Sequence, residues 1–267
     1  MNFVVAFLAE AQPVIEFYHL EKIATPKGIV FQNDQHSLII GGLGREKAFD
    51  STQLLAQIQG EKNMGWLNLG IAGHGSLHMG ELFMAGKIID DASDEAFYPP
   101  QIYDHSFPIS TLCTSTKPVN QYEHRTGYDM EAHAFYEAAS DWSTRELIQV
   151  VKVISDTPSH PVEKIKPKEA TRLIEAKMME LDPLISQIDH LSHELRPDEE
   201  VQTLCNQIEK LHAFSITRTY QLKNLIRHAK LLKLDMKKID ELVQSSTNGK
   251  EALEQIRNYL EPNRKLG

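Results

Sequence analysis

The sequence predicts an α/β domain built on a central sheet over residues 1–195, followed by an all-helical appendage over residues 196–267. Three observations carry this. Apolar runs of strand length alternate with glycine loops and helix-spaced segments through the first part of the chain. One of these runs, Leu147–Val153, has five apolar residues out of seven and reads as a strand buried on both faces. After about residue 162 the strand signal disappears, and from Asp198 onward only Gly249 and Gly267 supply glycine.

The elements follow in order. Asn2–Leu8 is apolar and reads as a first, central strand. Pro13 suits the first turn of the next helix, where its missing N–H costs no hydrogen bond, so Glu10 sits at a strand end by a helix entrance. Gly28–Phe31 and His36–Ile40 read as a hairpin or meander around Asn33-Asp34. Ser37–Gly44 takes an apolar strand into a glycine turn, and Arg45–Ile58 has helical spacing, with Ala48, Leu54, Leu55 and Ile58 on one side. Trp66–Gly75 repeats the pattern, an apolar strand and then Gly70, Gly73 and Gly75. Glu81–Ala85 and Lys87–Asp90 read as a further strand or hairpin, Asp91–Pro108 as irregular, and Ile109–Ser115 as a strand before the Lys117-Pro118 turn. Asp129–Ala139 has helical spacing and carries Glu131 near its start. Pro167–Leu195 is helical, restarted or kinked at Asp182-Pro183, and Pro197 ends it. In the appendage, helices are expected near Glu199–Ala213, Thr217–Lys233, Met236–Gln244 and Lys250–Leu260. Ser215 and Asp235 stand as caps and Asn248-Gly249 as a turn.

Bulk properties narrow the function. The 267 residues are 41% hydrophobic and carry a net charge of −9, which argues against nucleic-acid binding by overall charge. Arg218, Lys223, Arg227, Lys230, Lys233, Lys237 and Lys238 form a basic run with His228, better explained by a solvated helix face than by a nucleic acid or an acidic partner. Cys113 and Cys205 lie far apart, which fits a reducing cytoplasm and argues against a disulfide framework; Cys113 is expected in the core. The N-terminal apolar run lacks preceding basic residues and meets Glu10 early, so a strand is expected rather than a signal peptide. No run nears the ~18 apolar residues of a membrane span. His74 and His78 stand four apart in a glycine loop rather than on a helix, and no metal site is expected.

The buried strand stops at Ser155-Asp156, and Pro158 blocks its continuation. Asp156 therefore stands at a strand end, where open α/β sheets bind ligands. Two readings are open there: a partly desolvated carboxyl with a raised pKa that donates a proton, or an aspartate capping the next turn. His160 is either a support for Asp156 or an ordinary surface histidine, the latter being the commoner case.

The order of the motifs adds what none supplies alone. LAEAQP follows the first strand at Leu8–Pro13, GGLG opens a helix at Gly41–Gly44, and NLGIAGH ends a strand at Asn68–His74. DMEA stands at Asp129–Ala132 and ISD at Ile154–Asp156. In this order the chain resembles the purine and uridine phosphorylase superfamily, closest to the methylthioadenosine/S-adenosylhomocysteine nucleosidases, over roughly residues 1–190. The resemblance implies a phosphorylase/hydrolase-like three-layer fold with a central mixed sheet, and an N-glycosidase acting on an adenine nucleoside with a modified 5′ position. It gives Asp156 the role of acid to the leaving base, with Ser155 positioning it. Glu131 holds the ribose hydroxyls, Met130 packs under the sugar, and Glu10 activates water. Amides around Gly42, Gly44, Gly70, Ala72 and Gly73 line the nucleophile and base pockets. The family's adenine-stacking phenylalanine has no counterpart in LCTSTKPV, and Val119 is left to pack on the base. Phe97 and Tyr98 are candidates for the wall of the 5′ side, which a partner subunit often completes in this family, or for ordinary loop packing.

Hydrolysis is the expectation, because the N-terminal loop AEAQP has no arginine and G-D-P-x-R is absent. The alternative is a phosphorylase that takes phosphate as co-substrate, with Arg45 reaching it. A second alternative is a catalytically weak binding protein that docks through its appendage. No cofactor is expected. The expected partners are a small-molecule nucleoside and a second copy of the chain in a dimer, with neither membrane nor nucleic acid.

Overall fold

The structure, a computed structural model, describes residues 1–25, 28–119, 121–160, 165–196 and 199–261. The chain divides into two compact units, Met1–Arg196 and Pro197–Gly267.

The first unit is built on one mixed sheet. Its strands are β1 (Asn2–Val5), β2 (Glu21–Ile23), β3 (Ile29–Gln32), β4 (Ser37–Ile40), β5 (Trp66–His74), β6 (Leu82–Asp90), β7 (Ala96–Phe97), β8 (Ile109–Thr114), β9 (Thr126–Asp129) and β10 (Ile148–Asp156). Their order is β10-β6-β8-β9-β5-β1-β4-β3-β2, with β7 on β6. Because β10 also pairs with β5, the strands β5, β10, β6, β8 and β9 close into a ring. Parallel pairs (β1–β4, β1–β5, β5–β10, β6–β8, β8–β9) mix with antiparallel ones (β3–β4, β5–β9, β6–β10).

Alternation along the strands produces three layers. Phe3, Val5, Leu67, Leu69, Val151 and Val153 share one buried cluster, with Val14 of helix α1 (Leu8–Tyr18), Ile174 of α4 (Pro167–Glu175) and Ile188 of α5 (Met178–Leu195). Val4, Trp66, Val150 and Ile154 face the opposite way. They pack with Leu55 of α2 (Arg45–Gln59) and Phe135 and Tyr136 of α3 (Ala132–Ser140). Every residue of β10 is buried, because both its edges are paired and both its faces covered.

Several expectations need correction. The first strand ends at Val5, and α1 begins at Leu8, so Pro13 lies in the helix interior and Glu10 in its first turn. Proline there denies a hydrogen bond to the carbonyl four residues back. The Thr171 hydroxyl supplies it instead, donating to the Ala9 carbonyl at 2.8 Å. Leu82–Asp90 makes one strand, β6, with a bulge between Ala85 and Lys87. The helical stretch after Pro167 breaks between Glu175 and Met178, not at Asp182-Pro183, and Pro183 lies inside α5. Strands β2, β7 and β9 were not foreseen. Pro197, expected to end this stretch, lies outside the described residues.

The second unit contains α6 (Glu199–Leu211), α7 (Ile216–Leu231), α8 (Met236–Gln244) and α9 (Gly249–Leu260) around its own core, including Leu204, Cys205, Ile208, Ile226, Val243 and Ile256. Ser215, Asp235 and Asn248 cap α7, α8 and α9 through their side chains. Arg218, Arg227, Lys233, Lys237 and Lys238 are exposed. Among the described residues no helix is long and apolar enough to cross a membrane.

Replacing Thr171 with valine leaves the Ala9 carbonyl without its donor at nearly constant volume. Urea unfolding is expected to show a loss of about 1–2 kcal/mol, with the helical content of the native state unchanged by circular dichroism.

Candidate active site

Three carboxylates from distant parts of the chain line one cavity of about 180 Å³: Glu10, Glu131 and Asp156. Ala72, Gly73, Val119, Met130 and Ser155 line it as well. Each acid is placed by backbone geometry. Glu10 sits in the first turn of α1 and accepts three N–H groups, from Ala6 (2.9 Å), Phe7 (3.1 Å) and Ile71 (3.0 Å). Glu131 immediately precedes α3 and accepts from the Gly44 N–H (2.7 Å) and the Met130 N–H (3.3 Å). Asp156 ends β10, and its Oδ1 accepts from the Ser155 hydroxyl at 2.5 Å.

The other residues expected here fall outside the cavity wall. Gly44 reaches the site through its N–H on Glu131. Gly42 donates to the Ala6 carbonyl at 3.0 Å. Gly70 lies behind Glu10: a β-carbon there would come within 2.8 Å of Glu10 Oε1, so its missing side chain is what admits the carboxylate. Arg45 does not face the cavity. Its guanidinium pairs with Asp90 and Asp91 and donates to the Thr114 carbonyl at 2.6 Å, which corrects its expected reach toward a phosphate. Phe97 packs on His133 and Tyr136, and Tyr98 is exposed; neither lines this cavity. His160 is exposed and bonds with Ser159 rather than Asp156. Cys113 is half-buried in β8, and burial pushes its thiol up to about 11.

Two residues that sequence reasoning missed complete the site. Lys152 of β10 is 2% exposed, and its ammonium donates to Asp129 Oδ2 at 2.8 Å. Asp129 also accepts from the Thr114 hydroxyl (2.8 Å) and the Ala132 N–H (2.9 Å). The signal was a lysine inside an otherwise apolar strand, which has to find a carboxylate. Tyr122 is the second. Its hydroxyl donates a short hydrogen bond to Asp156 Oδ2, and its ring lies edge-on to Tyr128. The ring rests on Gly73, where any side chain would collide with both Tyr122 and Asp156.

The electrostatics follow from burial. Desolvation pushes Glu131 up to about 7, helped by the Asp129 charge and opposed by Lys152 and the Gly44 amide. Desolvation also raises Glu10, against Lys152 and the three amides. Burial by itself would lower Lys152; Asp129, Glu131 and Glu10 together outweigh it and hold the ammonium charged.

No family model matches the chain, and no curated protein matches it by sequence. Solved structures do. The 5′-methylthioadenosine/S-adenosylhomocysteine nucleosidase of Neisseria meningitidis, in complex with methylthio-immucillin-A, superposes with a TM-score of 0.57 at 13% identity, covering 69% of this chain and 97% of that one. This chain has the nucleosidase fold. The 5′-methylthioadenosine nucleosidase of Arabidopsis thaliana gives 0.57 at 14% identity, covering 70% and 95%. The nucleosidase of Colwellia psychrerythraea, in complex with adenine, gives 0.54 at 14%, covering 73% and 95%. The shared fold is the three-layer arrangement around a mixed sheet that the motif order implied.

The buried charges make stability depend on pH. Glu131 binds its proton more tightly folded than unfolded, so its contribution is complete below about pH 4.5 and is lost as pH rises through about 7. Replacing Lys152 with methionine is expected to cost about 3–5 kcal/mol in urea unfolding at pH 8. The cost should shrink toward pH 5, where Glu131 takes up its proton.

Proposed function

We propose that the chain is a purine nucleosidase that hydrolyses the N-glycosidic bond of an adenine nucleoside with a modified 5′ position, of the methylthioadenosine/S-adenosylhomocysteine type. The observation that carries the reading is the meeting of Glu10, Glu131 and Asp156 in one cavity of a nucleosidase-like fold.

The chemistry distributes itself over these groups. A purine leaves poorly as an anion, so the leaving base takes a proton at N7, and Asp156 carries it there, with Ser155 Oγ fixing the carboxyl plane. As the bond lengthens, the ribose gains oxocarbenium charge. Glu131, as carboxylate, accepts the ribose hydroxyls and strengthens that hold as the charge grows. Water attacks the anomeric carbon and loses its proton to Glu10. Lys152 opposes the rise that burial imposes on Glu10 and Glu131, which favours their carboxylate forms. A second copy of the chain belongs to this reading as the expected partner closing the 5′ side, and the cytoplasm as its compartment.

Charge supports hydrolysis over phosphorolysis. A phosphate dianion needs cations and free amides. Here Arg45 is paired with Asp90 and Asp91 and Lys152 with Asp129, and the cavity wall sets four carboxylates, Glu10, Asp129, Glu131 and Asp156, against one lysine, Lys117. Water meets no such repulsion.

Tyr122 bears on how the base is seated. Its phenol occupies the Asp156 oxygen that a purine N7 needs, and about 180 Å³ is below the several hundred that small-molecule pockets usually offer. In this reading the base displaces Tyr122 from Asp156 as it binds.

Purified protein is expected to release adenine from methylthioadenosine or S-adenosylhomocysteine at a rate independent of phosphate. Asp156→Asn should lose about 100-fold or more in kcat. Release of no base from either nucleoside or from 5′-deoxyadenosine overturns the reading, and strict phosphate dependence moves it to a phosphorylase.

Tyr122→Phe removes the competing donor and keeps the ring. A lower KM with kcat changed by less than about threefold is expected for a displaced capping group, whereas a raised KM would make Tyr122 a ligand of the base.

A further inference from the structure

A second cavity, of about 770 Å³, shares no lining residue with the first. It lies beside β6 and β8, and its wall includes His74, Lys87, Tyr98, Ser110, His124 and Arg125. None of its lining residues is an aspartate or glutamate, although the chain carries a net charge of −9. Among the described residues neither Lys87 nor Arg125 has an ion pair.

Two separate backbone irregularities deliver these two cations to one place. Strand β6 bulges at Gly86, between Ala85 and Lys87 in its pairing with β8, and a bulge re-aims the side chain that follows it. On the other wall Arg125 has φ +61°, the left-handed region that costs a non-glycine residue about 1 kcal/mol or more. That conformation is pinned from both sides. The Arg125 N–H donates to Ser76 Oγ at 2.6 Å, and its carbonyl accepts from Ser110 Oγ at 2.8 Å. Ser110 is held in turn by the buried His74, whose Nδ1 accepts the Ser76 and Leu77 N–H groups. The Nε2–H of His74 therefore points at Ser110 Oγ, 2.9 Å away. Burial lowers His74 to about 4, so this relay keeps one tautomer at neutral pH.

We propose that this second cavity binds a phosphate-bearing small molecule, its phosphate held by Lys87 and Arg125. Strain fixed in advance and two cations with no ion pair among the described residues, on a wall lined by no acid, are the features of a preorganised anion site. The exposed ring of Tyr98, with the Lys87 ammonium 5.8 Å from its centroid, leaves an aromatic face for the organic remainder of such a ligand. The volume falls within the range of sites for drug-sized ligands.

Calorimetric titration of the full-length protein with inorganic phosphate and with pyrophosphate, at low salt, tests this. Saturable binding is expected, weakened at least tenfold by Arg125→Gly and by Lys87→Ala, and unaltered by Asp156→Asn. Glycine adopts φ +61° without strain, so Arg125→Gly removes the guanidinium and keeps the turn. Absence of saturable binding, or binding that survives both substitutions, overturns the proposal. The second outcome would put the phosphate elsewhere on the chain, and failure of this proposal is distinguishable from failure of the nucleosidase reading because base release is measured separately.

Discussion

An ammonium group buried in the middle of a strand is the constraint on which the candidate site depends. Lys152 sits where β10 is covered on both faces, so it has no route to water and must be neutralised locally. Asp129 does this, and in doing so ties β9 to β10 across the ring of strands. The same Asp129 carboxylate accepts the Ala132 N–H at the start of α3. The position of Glu131, one residue before that helix, thus follows from the ion pair behind it. Gly70, opposite Lys152 in the β5–β10 register, leaves the room in which Glu10 approaches the same charge. One cation therefore bears on the placement of two further carboxylates and opposes the rise that burial imposes on both.

The parts of this arrangement that were legible in the sequence are those determined locally. Strands β5 and β10 are buried on both faces, so their apolar runs announced them, and Asp156 could be placed at a strand end. The caps Ser215, Asp235 and Asn248 accept N–H groups two or three residues ahead, a relation within one turn of helix. What failed depended on distant partners. Pro13 reads as a first-turn residue until Thr171, far along the chain, supplies the donor its position lacks. Arg45 follows a glycine turn and reads as a phosphate contact; Asp90 and Asp91, at the end of β6, decide otherwise. Strand β9 is four residues long and too polar to stand out. Tyr122 lies in a loop whose path no periodicity reports.

Asp156 shows why the two readings open at the sequence level are not equivalent. An aspartate that merely capped a turn would spend its oxygens on backbone N–H groups. Here both oxygens accept from hydroxyls, Ser155 on one and Tyr122 on the other. Hydroxyl donors rotate, and Tyr122 comes from a loop rather than from the sheet. The Ser155 bond is between chain neighbours on a rigid strand, whereas the Tyr122 bond is the exchangeable one. Gly73 beneath the ring keeps a side chain from closing the space that Tyr122 occupies, so the space is available to another flat ring.

The charge distribution separates what each cavity admits. Around the first, Arg45 and Lys152 are consumed by Asp90, Asp91 and Asp129, and the wall itself sets Glu10, Asp129, Glu131 and Asp156 against a single lysine, Lys117, with Glu131 titrating near neutrality. Such a wall repels a dianion and favours a neutral nucleophile at a carbon that is becoming positive. The second is lined by no carboxylate, and its two cations have no ion pair among the described residues. At the separations of groups lining one cavity, an unscreened like charge costs about as much as an opposite charge contributes. A phosphate excluded from the carboxylate wall of the first cavity is therefore attracted by the second, and the asymmetry arises from where the acids of this net-negative chain are placed, not from how many it has.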